Sequence, residues 1–332
     1  MECVIELNEV TRKYTVYTGK GNILKRLISR EKKEVVAIDK ASLTVSPGEI
    51  IGYVGPNGAG KSTTIKLMTG VLKPSKGTVK VLGVNPQDNR YLISKKIGVV
   101  FGQKSQLWWD LPVKDSFTLL KAMYAIPDDV FSNRLTQFDG ILGISELLNT
   151  PVRQLSLGQR MKCDLTASML HNPQILFLDE PTIGLDAASK ENFRIFIKQI
   201  NQQFQTTIIL TSHDLQDIAN TCKRLLLLDK GKLLYDGQIA DFTQHFHSYK
   251  KIRINTIIPL SIRQEGLLHP AICKVDIDAD QYMSTVVYDD SQISSSEIFN
   301  LLSSVVKFDE FTVSDQSIES VIANYCKNME KA

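Results

Sequence analysis

Residues Gly55-Pro56-Asn57-Gly58-Ala59-Gly60-Lys61-Ser62-Thr63 form a glycine-rich stretch that decides the fold. An apolar strand pattern precedes it over 50–54, and helical apolar spacing follows over 65–68. Glycines allow a loop in which consecutive N–H groups point at phosphate oxygens, and the helix start adds the positive end of its dipole. In such loops the lysine reaches the β- and γ-phosphates, and the following hydroxyl ligates Mg²⁺. The stretch therefore predicts a nucleoside triphosphate site, with Lys61 and Ser62 in those roles.

Two acids end a second apolar strand pattern, Gln174-Ile175-Leu176-Phe177-Leu178-Asp179-Glu180-Pro181. Neighbouring side chains of a strand point to opposite faces, so the two carboxylates are directed differently. Asp179 suits Mg²⁺ coordination through water, and Glu180 suits polarising the water that attacks a γ-phosphate. Strands often end in solvated acids, so this segment alone would not indicate catalysis. The catalytic interpretation is favoured because the phosphate-binding stretch occurs in the same chain.

The composition excludes several classes of protein. The chain has 332 residues, of which 43% are hydrophobic and 23% charged, which rules out disordered, collagen-like and disulfide-rich chains. Its apolar runs are far shorter than the ~20 residues of a membrane-spanning helix, and residues 1–10 lack the pattern of a secretory signal. Five widely spaced cysteines favour a reducing compartment. We expect a soluble cytosolic protein.

Glycine content and charge place a domain boundary near 240–250. Before it, strand-like segments alternate with helix-length ones, which predicts an α/β sheet; the strands are 79–84, 97–101, 175–178, 207–210 and 225–228. After it, a single glycine, Gly266, and an excess of acids accompany a small α+β pattern. Its predicted strands are 252–258, 275–277, 284–288 and 307–313, and its predicted helices are 294–303 and 317–326. No repeat of solenoid length is evident.

The stretch Gln154-Leu155-Ser156-Leu157-Gly158-Gln159-Arg160 resembles the diagnostic Leu-Ser-Gly-Gly-Gln element of ABC transporter ATP-binding subunits. Four of the five motif residues are present, and Leu157 replaces the first glycine. The resemblance covers residues 1 to about 240. It implies a P-loop ABC-type ATPase domain over 1–240, with a helical subdomain over about 104–165, followed by a small α+β accessory domain over 241–332.

The resemblance also implies roles for single residues. Gln103 matches the glutamine that senses Mg²⁺ and the attacking water, and His213 matches the histidine that contacts the γ-phosphate. Asp186 matches the aspartate loop through which two sites communicate. Tyr14 matches the aromatic residue that stacks on adenine, with Tyr17 as a competing candidate.

A shared site is implied as well. In the family, Ser156, Gly158 and Gln159 contact ATP held by the opposite subunit's loop, so a dimer with itself or with a sister ATPase subunit is expected. The residues expected to hold ATP on the chain's own side are Tyr14, Gly55, Pro56, Asn57, Gly58, Ala59, Gly60, Lys61, Ser62, Thr63 and Gln103. Mg²⁺ is expected at Ser62, Gln103 and Asp179, and catalysis at Glu180, His213 and Lys61.

The family assignment implies partners and a location. We expect multi-helix membrane permease subunits, export, and a peripheral position on the cytoplasmic face of the cell membrane. The alternative is a soluble ABC-type ATPase with a role in translation, repair, assembly or resistance. A net charge of +3 gives no broad basic surface, so no nucleic acid is expected.

Three features stay open at this point. Residues 15–34 form a basic insertion whose apolar residues share one helical face; a lipid-binding or partner-binding helix and a solvated loop are both compatible with it. Trp108 and Trp109 are either permease contacts or core residues. His245 and His247 have no clustered ligands and favour a polar linker over a metal site.

Overall fold

The computed structural model describes residues 3–18, 31–102, 104–212, 215–244, 249–256, 269–277, 282–305 and 307–315. The chain divides into two compact units, Met1–Gln238 and Ile239–Ala332. The division falls two residues before the boundary that the sequence indicates. Among the described residues, no helix combines the length and apolarity needed to cross a bilayer.

The first unit contains strands and helices in an alternating order. Its strands are β1 (Ile5–Thr18), β2 (Glu31–Val45), β3 (Ile50–Val54), β4 (Lys76–Val81), β5 (Ile97–Phe101), β6 (Ile175–Asp179), β7 (Thr207–Thr211), β8 (Arg224–Asp229) and β9 (Lys232–Gln238). Its helices are α1 (Lys61–Met68), α2 (Arg90–Ser94), α3 (Val113–Met123), α4 (Asp128–Leu142), α5 (Leu157–Met169), α6 (Ala187–Phe204) and α7 (Leu215–Thr221), with 3-10 turns at Ser145–Leu147 and Val152–Gln154.

A six-stranded sheet organises the first unit, in the order β5-β6-β7-β3-β8-β9. The first five of these strands run parallel, and β9 is antiparallel to β8. Strands of a parallel sheet are covered on both faces and are apolar throughout; β7 is accordingly buried at every position. Because the carboxyl ends of parallel strands meet at one edge, the loops after β3, β5, β6 and β7 lie together there.

A second, antiparallel sheet has the order β2-β1-β4. Two expectations differ from it. The strand predicted over 79–84 ends at Val81, because Leu82 (φ 51°) and Gly83 (φ 79°) turn the chain. The insertion predicted over 15–34 is in part a β-hairpin, because the ladder of β1 and β2 continues to the pair Thr18 and Glu31. The apolar helical face predicted within the insertion lies outside the described residues.

The second unit contains α8 (Ile239–Gln244), β10 (Tyr249–Thr256), β11 (Ile272–Ile277), β12 (Met283–Asp289), α9 (Ser295–Val305) and β13 (Phe308–Asp315). Its strands form an antiparallel sheet in the order β11-β12-β10-β13. Apolar side chains of the sheet and of α9, among them Ile252, Tyr288 and Leu302, form a separate core. The helix predicted over 317–326, His245 and His247 lie outside the described residues.

Candidate functional site

The glycine-rich stretch connects β3 to α1 and is held by packing on both sides. Gly60 has φ 113°, and a Cβ there would lie 2.5 Å from the carbonyl oxygen of Ala37, so only glycine fits. The hydroxyl of buried Tyr53 donates to Thr64 Oγ1 at 3.0 Å, which joins β3 to α1. The loop of residues 55–63, here called the phosphate loop, is therefore a rigid support for the side chains that follow it.

Lys61 is buried within this loop. Its Nζ donates to the carbonyl oxygen of Gly55 at 2.6 Å and to that of Pro56 at 3.2 Å. Burial lowers the pKa of the Lys61 ammonium, whereas the nearby charges of Glu180 and Asp179 act in the opposite direction. The Lys61 ammonium is therefore partly desolvated and lies near the charges of Asp179 and Glu180.

Thr211 orders the carboxyl edge of the sheet. Phe101, Asp179 and Thr211 end the adjacent strands β5, β6 and β7 in register. The Thr211 hydroxyl donates to Asp179 Oδ1 at 2.8 Å, and it accepts from the backbone N–H of Glu180 at 3.0 Å. One buried side chain thus fixes both the orientation of the Asp179 carboxylate and the backbone of Glu180.

Glu180 adopts an unusual backbone conformation, with φ 55°. A residue other than glycine in this region costs on the order of 1–3 kcal/mol, and such strain is concentrated at functional sites. The backbone is also crowded: a Cβ on Gly102 would lie 1.9 Å from the carbonyl oxygen of Glu180, and the Gly102 N–H donates to the carbonyl of Asp179 at 2.9 Å. Close packing of the chain after β5 maintains this conformation.

Three cavities adjoin Glu180. The first, of about 190 Å³, is lined by Ala37, Glu180 and residues 57–63. The second, of about 360 Å³, is lined by Ser62, Lys66, Phe101, Gly102, Lys104, Asp179 and Glu180. The third, of about 180 Å³, is lined by Glu180, Thr182, Ile183, Gly184, Leu185, Lys190 and Ser212. Glu180 therefore lines all three cavities, which bring it together with the phosphate loop, Asp179 and the segment 182–185.

The donor set of the second cavity fits Mg²⁺. Ser62 and Asp179, which carry a hydroxyl and a carboxylate, both line this cavity. Mg²⁺ prefers oxygen ligands and is held by one or two carboxylates together with substrate phosphates, without a dedicated protein cage.

Helix α5 begins with a capping box. The N–H of Gln159 donates to Ser156 Oγ at 3.2 Å, and the N–H of Ser156 donates to Gln159 Oε1 at 2.9 Å. Leu157 packs towards Gly184, since a Cβ on Gly184 would lie 3.0 Å from Leu157 Cδ2. The departure from the expected glycine at 157 is thus accommodated by a glycine in the segment after β6.

Asp186 caps helix α6. Its carboxylate accepts from the N–H and the hydroxyl of Ser189, both at 2.8 Å. These bonds, first that of the Ser189 N–H, lower the pKa of the Asp186 carboxyl. A Cβ on Gly158 would lie 2.6 Å from Ser189 Oγ, so the start of α5 packs directly on the start of α6.

The remaining predicted residues are placed as follows. Gln103 and His213 lie outside the described residues, between Gly102 and Lys104 and directly after Ser212. Tyr14 pairs with Val35 across the ladder of β1 and β2. Val35 lies two residues before Ala37, which lines the first cavity. The Arg12 guanidinium lies 4.8 Å from the centre of the Tyr14 ring.

Asp217 forms a buried ion pair that sequence reasoning missed. Asp217 is fully buried on α7 and accepts from Arg194 Nε at 2.8 Å, from Arg194 Nη2 at 2.6 Å and from the Thr182 hydroxyl at 2.7 Å. It thereby joins α6, α7 and the segment that follows Glu180. The contribution of Thr211 was also missed, although its place at the end of a predicted strand was a usable signal.

Comparisons with known proteins agree with this geometry. The family model described as ABC transporter matches residues 38–183. The chain is 30% identical over 214 residues to the ABC transporter ATP-binding protein NatA of Bacillus subtilis, covering 64% of this chain and 87% of that protein. It is 32% identical over 241 residues to the uncharacterized ABC transporter ATP-binding protein YhcH of the same organism, covering 73% and 72%. It is 29% identical over 243 residues to the methionine import ATP-binding protein MetN of Carboxydothermus hydrogenoformans, covering 72% of each.

Solved structures share the fold. The structure of cbiO1 from Clostridium perfringens, described as part of the ABC transporter complex cbiONQ, has a TM-score of 0.62 at 22% identity and covers 74% of this chain and 92% of that one. The dimeric post-hydrolysis state of the ATP-binding cassette MJ0796, bound to ADP and Pi, has a TM-score of 0.58 at 22% identity and covers 71% and 98%.

Proposed function

The chain belongs to the ABC transporter family as an ATP-binding subunit with ATPase activity, and on that premise we propose that two subunits clamp two ATP molecules between them to drive transport through separate membrane permeases. Each ATP lies between the phosphate loop of one subunit and the start of α5, at Ser156, Gly158 and Gln159, of the other. Hydrolysis opens the clamp. The partner in the dimer is a second copy or a sister ATPase subunit.

The observation that carries the proposal is the convergence of Lys61, Ser62, Asp179 and Glu180 on adjoining cavities. Residues 55–63 hold the phosphates through backbone N–H groups and Lys61, and Tyr14 stacks on adenine. Ser62, Asp179 and Gln103 would hold Mg²⁺, which neutralises phosphate charge when bound. Tyr14, Gln103 and His213 are assigned on the family resemblance.

Glu180 orients the water that attacks the γ-phosphate and accepts its proton. Phosphoryl transfer depends mainly on positioning and charge neutralisation, so a backbone fixed by Thr211 and Gly102 supports this role. Lys61 and His213 stabilise negative charge on the transferring group. The Thr211 hydroxyl is bonded both to the backbone N–H of Glu180 and to the Asp179 carboxylate, so a shift of the Glu180 backbone would also disturb Asp179. This shared partner supports a fixed distance between the two acidic residues.

The surface formed by Trp108 and Trp109 is the proposed permease contact. These side chains are 39% and 53% exposed, which makes the alternative assignment to the core wrong. Exposed aromatic residues are enriched at protein interfaces. The structural neighbour described as part of the complex cbiONQ supports a multi-subunit assembly. With a permease as partner, the proposed location is the cytoplasmic face of the membrane.

Export is the proposed direction, on the family resemblance alone: accessory C-terminal domains follow the ATPase domain in subunits that serve exporters, and this chain has a second unit after Gln238. A methionine import protein stands among the relatives, so direction needs its own measurement. Flux in inside-out vesicles supplied with external ATP distinguishes the two: accumulation of substrate inside supports export, and loss of preloaded substrate contradicts it.

Glu180→Gln tests the ATPase assignment. The variant should bind ATP and dimerise, while kcat falls by roughly 10²–10⁴-fold because the general base is lost. Glu191→Gln, an exposed glutamate on α6, is the matched control and should retain normal turnover. Near-normal turnover by Glu180→Gln would contradict the role given to Glu180.

An affinity pull-down tests the transport assignment. The tagged Glu180→Gln chain is recovered from detergent-solubilised membranes with Mg-ATP, and the Trp108→Ala/Trp109→Ala form of the same chain serves as control. Multi-helix membrane proteins that are lost with the tryptophans support the proposal. Recovery of ribosomes or other soluble partners alone would favour the non-transport alternative.

A further inference from the structure

The buried carboxylate of Asp164 lies outside the site described above. Asp164 is on α5, about two turns after Ser156, and is only 4% exposed. Its Oδ1 accepts from the hydroxyl of Ser105 at 2.8 Å and from the backbone N–H of Gln106 at 3.1 Å. In return, the Gln106 side chain donates to the Asp164 carbonyl at 2.8 Å. Three hydrogen bonds therefore join α5 to residues 105–106.

Residues 105–106 lead directly into the exposed tryptophan surface. The Ser105 hydroxyl also accepts from the N–H of Leu107 at 3.1 Å, which extends the attachment by one residue. The Arg160 guanidinium, on the first turns of α5, lies 5.8 Å from the centre of the Trp109 ring. Asp164 and Arg160 thus bring the tryptophan surface and the start of α5 into one connected unit.

We propose that Asp164 is a positioning residue that fastens the Trp108–Trp109 surface to the helix beginning at Ser156, and that it does so in its ionised form. Hydrogen bonds to a carboxylate are roughly twice as strong as those to a neutral acceptor. Protonation therefore loosens the attachment without removing it. Through this element, acidification would weaken communication between the tryptophan surface and the ATP contacts of α5.

The ionisation of Asp164 falls in an accessible range of pH. Burial raises the pKa of the Asp164 carboxyl to about 6, although Ser105, Gln106 and Arg160 act to lower it. The neighbouring Cys163 remains a thiol, because burial raises its pKa to about 12. The attachment is thus fully charged above neutral pH and is progressively neutralised as the pH falls through 6.

Other charged groups near α5 are engaged elsewhere or lie at the surface. On α3, Lys121 pairs with Asp128, and on α4, Arg134 donates to the carbonyl of Leu170. Strand β5, which also packs against α5, carries no charged residue. Lys104 is exposed, and Lys162 is partly exposed. Arg160 is therefore the cation that acts on the Asp164 carboxylate.

Tryptophan fluorescence reads this attachment directly, because the chain has only two tryptophans, Trp108 and Trp109. The full chain is titrated from pH 8 to pH 5, with emission and acrylamide quenching as the signals and circular dichroism to confirm that the fold persists. The native chain should show a transition near pH 6 towards greater quenching. In Asp164→Asn that transition should be lost. In Ser105→Ala its midpoint should move to higher pH, because a bond that favours the carboxylate is removed.

A transition that is absent in the native chain, or unchanged in Asp164→Asn, would overturn the proposal. Asp164→Glu keeps the charge and should restore a titration, which separates positioning from mere retention of the fold. The significance of the surface as a permease contact rests on the proposed function, whereas this titration needs no permease. If the pull-down recovers no permease but the titration shows the expected transition, the permease contact is refuted and the role of Asp164 stands.

Discussion

Replacing Asp217 by Ala should destabilise the first unit strongly. The carboxylate is fully buried and receives three hydrogen bonds, two of them from Arg194 and one from Thr182. The Arg194 side chain is itself only 15% exposed, and its other carboxylate partner, Glu191, is 59% exposed. Removal of Asp217 therefore leaves a mostly buried cation that solvent compensates poorly.

The expected loss in the free energy of unfolding is about 3–5 kcal/mol, the cost of removing one partner of a buried ion pair. For a unit of this size each kcal/mol lowers Tm by about 2–4 °C, so the expected fall is roughly 6–20 °C. Replacing both partners, as Asp217→Leu/Arg194→Met, should recover part of it, since an apolar pair of similar volume is often neutral. The unpaired Thr182 hydroxyl should still cost about 1–3 kcal/mol.

Chemical denaturation and differential scanning calorimetry measure this effect on the full chain. Glu191→Ala, which removes only the exposed partner of Arg194, is the control and should cost less than about 1 kcal/mol. Asp217→Asn, which keeps an acceptor, should fall between the native chain and Asp217→Ala. A loss below about 1 kcal/mol for Asp217→Ala, the level of an exposed pair, would refute the reasoning.

Two further variants test local features. Gly102→Ala should lower kcat strongly while ATP binding persists, because the added Cβ meets the carbonyl oxygen of Glu180 at 1.9 Å; Gly140→Ala, where a Cβ meets nothing within 4 Å, is the control and should leave turnover unchanged. Ser156→Ala should cost about 0.5–2 kcal/mol of stability by removing the N-cap, measured by thermal unfolding, and an unchanged Tm would contradict the capping box.

The parts of the fold with strong local patterns could be predicted from the sequence. Strand β3 has the predicted bounds Ile50–Val54, and β5 has the predicted bounds Ile97–Phe101. Both follow from local chemistry, because each is a short apolar run ended by a glycine. The strand before Asp179 was predictable for the same reason, since it is an apolar run ended by charge.

The remaining features depend on contacts between distant segments. The interaction of Thr211 with Asp179 requires knowing that β6 and β7 are neighbours, and periodicity does not give strand order. Asp217 and Arg194 lie on different helices, so no local spacing indicates their pairing. The hairpin of β1 and β2 was missed because the sequence between Thr18 and Glu31 has apolar residues at helical spacing. In addition, the extent of a strand depends on its pairing partner, which local spacing does not reveal.

Two of the backbone N–H groups at the start of α5 already have hydrogen-bond acceptors within the same subunit. This limits which groups are available to the ATP that the proposed partner subunit would hold. The capping box occupies the N–H groups of Ser156 and Gln159. An incoming phosphate would therefore meet the Ser156 hydroxyl hydrogen and the N–H groups of Leu157 and Gly158, at the positive end of the helix dipole. Gly158 packs on Ser189 and Leu157 packs on Gly184, so the start of α5 lies against the segment between Glu180 and the first turn of α6. In the proposed dimer, ATP held by one subunit would therefore contact a helix start that packs beside the catalytic segment of the other.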